Sequence, residues 1–274
     1  MRTWLITGAS SGFGRAIANE ALRRGQRVVA TARRPQDLED FRSRHPETAL
    51  PLRLDVTDPA NVAEAVAQAA AWAGTLDVVV NNAGYGVHGA IEEVADDEAR
   101  AVFDVNLLGL LRVTRAVLPV MRRQGSGHIV NIGSMGGLVA GAGSGVYAAT
   151  KFALEGISEA LRDEVAPLGI AVTVVEPGPF RTDFNGRSIQ VAATSLPAYA
   201  ETAGRRSAAL RASSGKQPGD PDKAARIICD LVAAPEPPFQ LLLGNAAVDR
   251  VRPKLEALLA EIARWEALSR SADG

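Results

Sequence analysis

A single cysteine, Cys229, in 274 residues excludes a disulfide framework and fits a reducing compartment. Its neighbours Ile227, Ile228, Leu231 and Val232 are apolar, so it reads as a buried structural thiol. There are three histidines, His45, His88 and His128, too scattered along the chain to form a ligand cluster. No metal site is therefore expected. Charge of one sign is also missing. The formal net charge is -1 and there is no basic block, which argues against a nucleic-acid partner. No apolar run reaches the roughly 18 residues that a membrane span requires. The opening MRTWLITGAS passes straight into a strand and a glycine turn, without the charged-then-apolar pattern of a signal peptide. A soluble, cytoplasmic protein is the expectation.

What is present is an alternation. Short runs rich in Val, Ile and Leu are predicted as strands at Thr3–Thr7, Arg27–Thr31, Ala49–Leu54, Leu76–Val80, His128–Ile132, Ala171–Val175 and Phe239–Leu243. Amphipathic stretches separate them, the pattern of a parallel sheet covered by helices on both faces. Asp58-Pro59 and Asp220-Pro221 each read as an N-cap followed by proline at the first helical position. Long helices are predicted over 95–123 and 146–167. A final one over about 251–268 is expected to pack Leu255, Leu258, Leu259 and Ile262 on one face. The 178–219 segment has weak periodicity and many Gly, Ser, Pro and Arg residues, and is predicted to be a substrate-binding lid. Nothing divides the chain, so 1–274 is expected to form one domain.

The candidate chemistry lies at the strand ends. The first strand enters TGASSGFG, where Gly8, Gly12 and Gly14 permit a tight turn and close approach to a pyrophosphate, while Ser10, Ser11 and Phe13 fill the turn. The second strand runs into VVATARRP. A binder of NAD carries an acidic residue there, but here Ala32 is followed by Arg33 and Arg34, which suit a 2′-phosphate. NADP(H) is therefore favoured over NAD(H). Asp55 and Val56 in LDV, Asn82, Ala83 and Gly84 in NNAG, and Pro177 and Gly178 in PGP fall on the same side of the sheet. Ser134 ends the strand that closes in NIGS, and Tyr147 and Lys151 of YAATK share one helix face. An isolated Tyr-x-x-x-Lys is usually a helix-surface pair. Beside the glycine turn and Ser134 it reads as a proton donor with an ammonium that lowers the phenol pKa toward neutral. The glycine-rich MGGLVAGAGSGV loop is small enough to admit a bulky apolar substrate.

Together TGASSGFG, NNAG, the serine and YAATK resemble the short-chain dehydrogenase/reductase family, in its shorter soluble branch, over about residues 3 to 183. VVATARRP and PGPFRTDF are most similar to the hydroxysteroid and retinol dehydrogenase-like members. The resemblance implies a Rossmann fold with seven parallel strands, Tyr147 as acid/base, Ser134 orienting the carbonyl or hydroxyl, and Lys151 holding the nicotinamide ribose. It further implies that Asn106 keeps a water in a proton relay, and that Phe180 and Thr182 of PGPFRTDF lie at the cofactor, with Thr182 toward the carboxamide. The implied activity is NADP(H)-dependent hydride exchange with a small-molecule carbonyl or secondary alcohol. A non-catalytic NADP(H)-sensing regulator is the alternative, and a nucleotide-sugar epimerase or dehydratase a more distant one. About thirty residues follow the last strand, unlike the tetrameric members, which leaves a homodimer through the two long helices as the expected assembly.

Overall fold

The computed structural model describes residues 1–273. In chain order, β1 (Thr3–Ile6) leads into α1 (Gly12–Arg23), then β2 (Arg27–Ala32), α2 (Glu39–Arg44), β3 (Ala49–Arg53) and α3 (Pro59–Ala73). Next come β4 (Val78–Asn81), β5 (Gly86–His88), α4 (Asp96–Phe103), α5 (Leu110–Gln124), β6 (Gly127–Ile132) and α6 (Gly145–Val165). The chain finishes with β7 (Ile170–Pro177), β8 (Ile189–Val191), α7 (Arg205–Ala212), α8 (Pro221–Ala233), β9 (Gln240–Leu243) and α9 (Asn245–Arg270).

Seven strands form one parallel sheet in the order β3-β2-β1-β4-β6-β7-β9. This is the anticipated Rossmann arrangement, with every expected strand present. Side chains alternate across the sheet because successive Cβ atoms point to opposite faces. Ile6, Val28 and Val80 pack with Ile17 of α1 and Ile228 of α8, while Leu5, Val29 and Val79 pack with Val66, Val117 and Leu161 on the other side. The Asp58 and Asp220 side chains each accept two backbone N–H bonds at the starts of α3 and α8, as their Asp-Pro pairs predict.

The chain builds outward from β1 to β3, then returns to place β4 on the other side of β1. The crevice at this reversal lies between the turn after β1 and the NNAG turn after β4. It is where open α/β sheets take ligands.

Three features depart from the sequence expectations. The predicted 95–123 helix is interrupted by a π-helical turn at Asp104–Gly109. The 178–219 segment contains β8, which pairs in parallel with β5 to make a second, two-stranded sheet. The last helix starts at Asn245 and runs to Arg270. Its expected packing is corrected: only Ala247 and Val251 are buried, and Leu255, Leu258, Leu259 and Ile262 are exposed. The reason is reach. α9 touches β9 and the Met135–Gly137 turn, then runs on past the body of the domain.

Candidate active site

The turn after β1 needs its glycines. Gly8 and Gly12 have φ of 66° and 54°. A Cβ on Gly14 would lie 2.5 Å from both the Gly8 carbonyl oxygen and the Asn82 amide nitrogen. Asn82 ties the two sides of the crevice together: its Nδ2 donates to the carbonyls of Thr7 (2.9 Å) and Gly8 (3.1 Å). The backbone N–H groups of Asn82 and Ala83 in turn donate to the Thr7 hydroxyl at 2.9 and 3.0 Å. Ser11 precedes α1 without using its hydroxyl as a cap, so that group and the first amides of α1 are free for an anion. A cleft of about 380 Å³ opens beside Gly12, bordered by Arg15, Arg181 and Thr182. Across it, Thr182 Cβ lies 3.5 Å from where a Gly12 side chain would begin. A backbone cradle without side chains, unused hydroxyls and a flanking cleft fit a dinucleotide pyrophosphate.

At the end of β2, Arg34 pairs with Asp37 at 3.0 Å. Arg33 is exposed and has no ion-pair partner among the described residues. Arg15, which the sequence reading passed over, reaches the same corner from α1 and pairs with Asp40 while lying over the Phe41 ring. Asp55 is raised by burial, but hydrogen bonds from the Thr57 hydroxyl and backbone N–H hold it below the ordinary carboxylate value. Val56 is buried against Gly109. Gly84 lies against Asn106, its Cβ position 3.1 Å from Oδ1.

Past β7, the Gly178 N–H donates to Leu243 O at 2.9 Å. Phe180 is buried, with its ring 5.1 Å from that of Phe13. What these two phenylalanines offer a ligand is backbone, since their rings serve packing. Thr182 Oγ1 accepts from Phe184 N–H at 3.3 Å.

Ser134, Tyr147 and Lys151 converge. Ser134 stands at the end of β6 with its hydroxyl accepting from Gly136 N–H (3.0 Å). Gly136 keeps that space open, since a Cβ there would lie 3.2 Å from Ser134 Oγ and 3.5 Å from the Tyr147 ring. Phe184, from the lid, closes on Tyr147 with ring centroids 5.7 Å apart. Lys151 is buried and donates to Ile132 O at 2.7 Å.

The expectation that Lys151 lowers the Tyr147 pKa is corrected. Burial pushes Tyr147 up to about 12, with the Ser134 hydroxyl acting in the opposite sense. Desolvation of the phenol prevails over the Ser134 hydroxyl. Lys151 itself falls to about 8, because burial lowers it more than Glu155 raises it.

Asn106 is buried in the π turn. Its amide donates to Tyr85 O (2.8 Å) and Thr150 Oγ1 (3.1 Å), and its oxygen accepts from Tyr85 N–H (3.0 Å). The side chain therefore fixes the NNAG exit to α6. Behind Lys151 the sequence reading missed a buried carboxyl pair, Glu155 and Glu176. Gln240 donates to both, at 3.1 and 3.2 Å. Burial raises both, and their mutual repulsion raises Glu176 further. Their i,i+4 relation to Lys151 was visible for Glu155 alone; Glu176 arrives through the packing of α6 on β7. No group of three or more metal-ligating side chains occurs among the described residues.

A family model described as short chain dehydrogenase matches residues 2–191. The chain belongs to this family. Oxidoreductase BOA17 of Botryotinia fuckeliana is 42% identical to it, covering 98% of each chain. The 3-ketodihydrosphingosine reductase of Bacteroides thetaiotaomicron is 36% identical, over 95% of this chain and 91% of its own. Among solved structures, a short-chain dehydrogenase from Streptomyces avermitilis is 44% identical with a TM-score of 0.93, each chain covered completely. A serine dehydrogenase complexed with NADP+ is 28% identical, with a TM-score of 0.74 over 88% of this chain and 94% of its own. As a short-chain dehydrogenase, the protein is a member of an oxidoreductase family whose relatives bind nicotinamide dinucleotides. No helix of the described residues is long and apolar enough to cross a membrane.

Proposed function

We propose that this short-chain dehydrogenase is an NADP(H)-dependent enzyme of the cytoplasm that interconverts a carbonyl and a secondary alcohol. The observation that carries the reading is the meeting of Ser134, Tyr147 and Lys151 beside the crevice built by the glycine turn and NNAG. The amides at the start of α1 and the Ser10 and Ser11 hydroxyls would hold the pyrophosphate. Asp55, Val56 and residues 82–84 would hold the adenosine side and a ribose. Pro177, Gly178, Phe180 and Thr182 would frame the nicotinamide, which supplies or accepts the hydride when bound.

The chain's own residues handle orientation and the proton. Ser134 donates to the substrate oxygen. Tyr147 Oη, held protonated by its desolvated setting, gives its proton to that oxygen during reduction. Lys151, poised near 8, takes and returns a proton close to neutral pH. In the oxidative direction Tyr147 must lose its proton. The pull for that would have to come from positive charge that the bound dinucleotide brings close to it.

Reduction of a ketone is the favoured direction, since the named activity of the Bacteroides relative is that of a keto-compound reductase. Arg33, with Arg15 and Arg34 at the same corner, supports NADP(H) over NAD(H). Tyr147→Phe should cut NADPH-dependent carbonyl reduction by at least about 100-fold while NADPH binding measured by fluorescence is retained; near-normal turnover would end the assignment. Arg33→Ala should weaken NADPH about tenfold or more and leave NADH nearly unchanged, read from the two dissociation constants.

A further inference from the structure

The most conspicuous surface outside the crevice is α9. From Arg252 onward every described residue of the helix is exposed, a length of about 28 Å at 1.5 Å per residue. Pro253 marks the point at which the helix leaves the domain. A lone helix of this length gains little from its own hydrogen bonds and takes most of its stability from packing an apolar face. The apolar face exists. Leu255, Leu258, Leu259, Ile262, Trp265 and Leu268 are 44–67% exposed.

Their spacing names the kind of partner. Beyond Val251, which is buried in the domain, Leu255, Leu258, Ile262 and Trp265 keep a spacing of three and four residues, the seam of a helix that packs lengthwise against another helix. Leu259 and Leu268 widen that seam on either side. The flanking charges then choose the orientation. In a parallel pair, Glu261 of one helix would face Glu266 of the other, and like charges would meet twice. In an antiparallel pair centred between Leu259 and Glu261, Leu255 faces Trp265 and Leu258 faces Ile262. Leu259 meets its own counterpart on the twofold axis. Arg252, which has no ion-pair partner among the described residues, would face Glu266, itself paired with Arg270 at 2.7 Å, at each end. Glu261 also meets its counterpart there. It already accepts the Trp265 indole N–H at 3.1 Å and has Arg264 at 3.7 Å, which offsets that charge. This centre is also the midpoint of the exposed stretch, so two copies overlap along its whole length.

We propose that α9 is a self-association surface, and that two copies of this chain join through antiparallel pairing of residues 252–268. A lipid surface fits less well. Residues 252–270 carry four basic and three acidic side chains, not the strongly basic face that draws an amphipathic helix to anionic lipid. The arrangement is isologous, so it closes at two chains and leaves no free end to extend. It also differs from association through α5 and α6, which would leave α9 bare.

Sedimentation of the full chain at micromolar concentration should give twice 28.7 kDa. Leu258→Glu combined with Ile262→Glu should raise the dimer dissociation constant about 100-fold or more and give a monomer. Its circular dichroism should lose at most the helicity of the exposed part of α9, because the replaced residues touch nothing in the domain. Arg252→Glu alone should weaken the dimer about tenfold, and adding Glu266→Arg in the same chain should restore it. A monomeric parent chain would overturn the proposal. So would a dimer that survives the paired glutamates, or a charge reversal that fails to rescue. A parent chain that stays monomeric but binds anionic vesicles would replace a second copy with a membrane as the occupant.

Discussion

The two walls of the crevice are built on different physical terms. The wall made by the β1 turn and NNAG is main chain tied by two short side chains. Asn82, Ala83, Thr7 and Gly8 share four hydrogen bonds, and Gly14 has no room for a methyl group. The opposite wall, the lid, is held at its edge by carboxylates. Glu93 accepts from the backbone N–H groups of Ala90 (2.7 Å) and Leu196 (2.8 Å), and Glu98 accepts from Ala193 (3.0 Å). The first wall has one shape. The second is tied at that edge by side-chain hydrogen bonds that water can replace. The fixed wall suits the part of a dinucleotide that never changes, and the releasable one suits a substrate that must enter and leave.

The largest effect should come from breaking the rigid wall. Gly14→Val places atoms within 2.5 Å of the Gly8 carbonyl. It should abolish measurable NADPH binding in calorimetry and lower stability by about 1–3 kcal/mol.

A smaller, pH-dependent effect tests the carboxyl pair behind Lys151. The folded pKa of Glu176 lies above its ordinary 4.5, because burial and Glu155 disfavour the charge. The stability it contributes is therefore complete below pH 4.5 and is lost as the pH climbs through the folded value. Glu176→Gln should flatten the fall of Tm at alkaline pH, with a gain of about 1 kcal/mol or more at pH 9. A variant whose Tm tracks the parent at every pH would show that the pair carries no such strain.

The smallest effect belongs to the lid. Glu93→Gln should speed tryptic cleavage near Arg205, Arg206 and Arg211 a few-fold and raise KM more than it lowers kcat. Equal cleavage rates would show that the lid is held elsewhere.

Much of this was legible in the sequence because short-range chemistry dictates it. Strand interiors of Val, Ile and Leu can be buried only between two helical layers. The glycine spacing and Tyr147-x-x-x-Lys151 express local geometry. What escaped depends on residues far apart in sequence. β5 and β8 are three residues long, Gly-Val-His and Ile-Gln-Val, with no period to read, and they become strands only through each other. Asn106 looked like an ordinary polar helix residue, because a π turn leaves no mark in composition. The Tyr147 pKa was misjudged for a related reason. The spacing shows that an ammonium lies one turn away, but not how far burial disfavours the phenolate. The α9 face was recognised as apolar and then assigned to the wrong neighbour, since periodicity records that a face will be covered and not by what.

The pairing of β5 with β8 has one more effect. The chain leaving NNAG is stitched to the 178–219 segment by main-chain bonds, and just before it Tyr85 is gripped by Asn106. The same Asn106 amide reaches Thr150, the residue beside Lys151. One buried amide thus braces both the roof of the crevice and the helix that carries the ammonium.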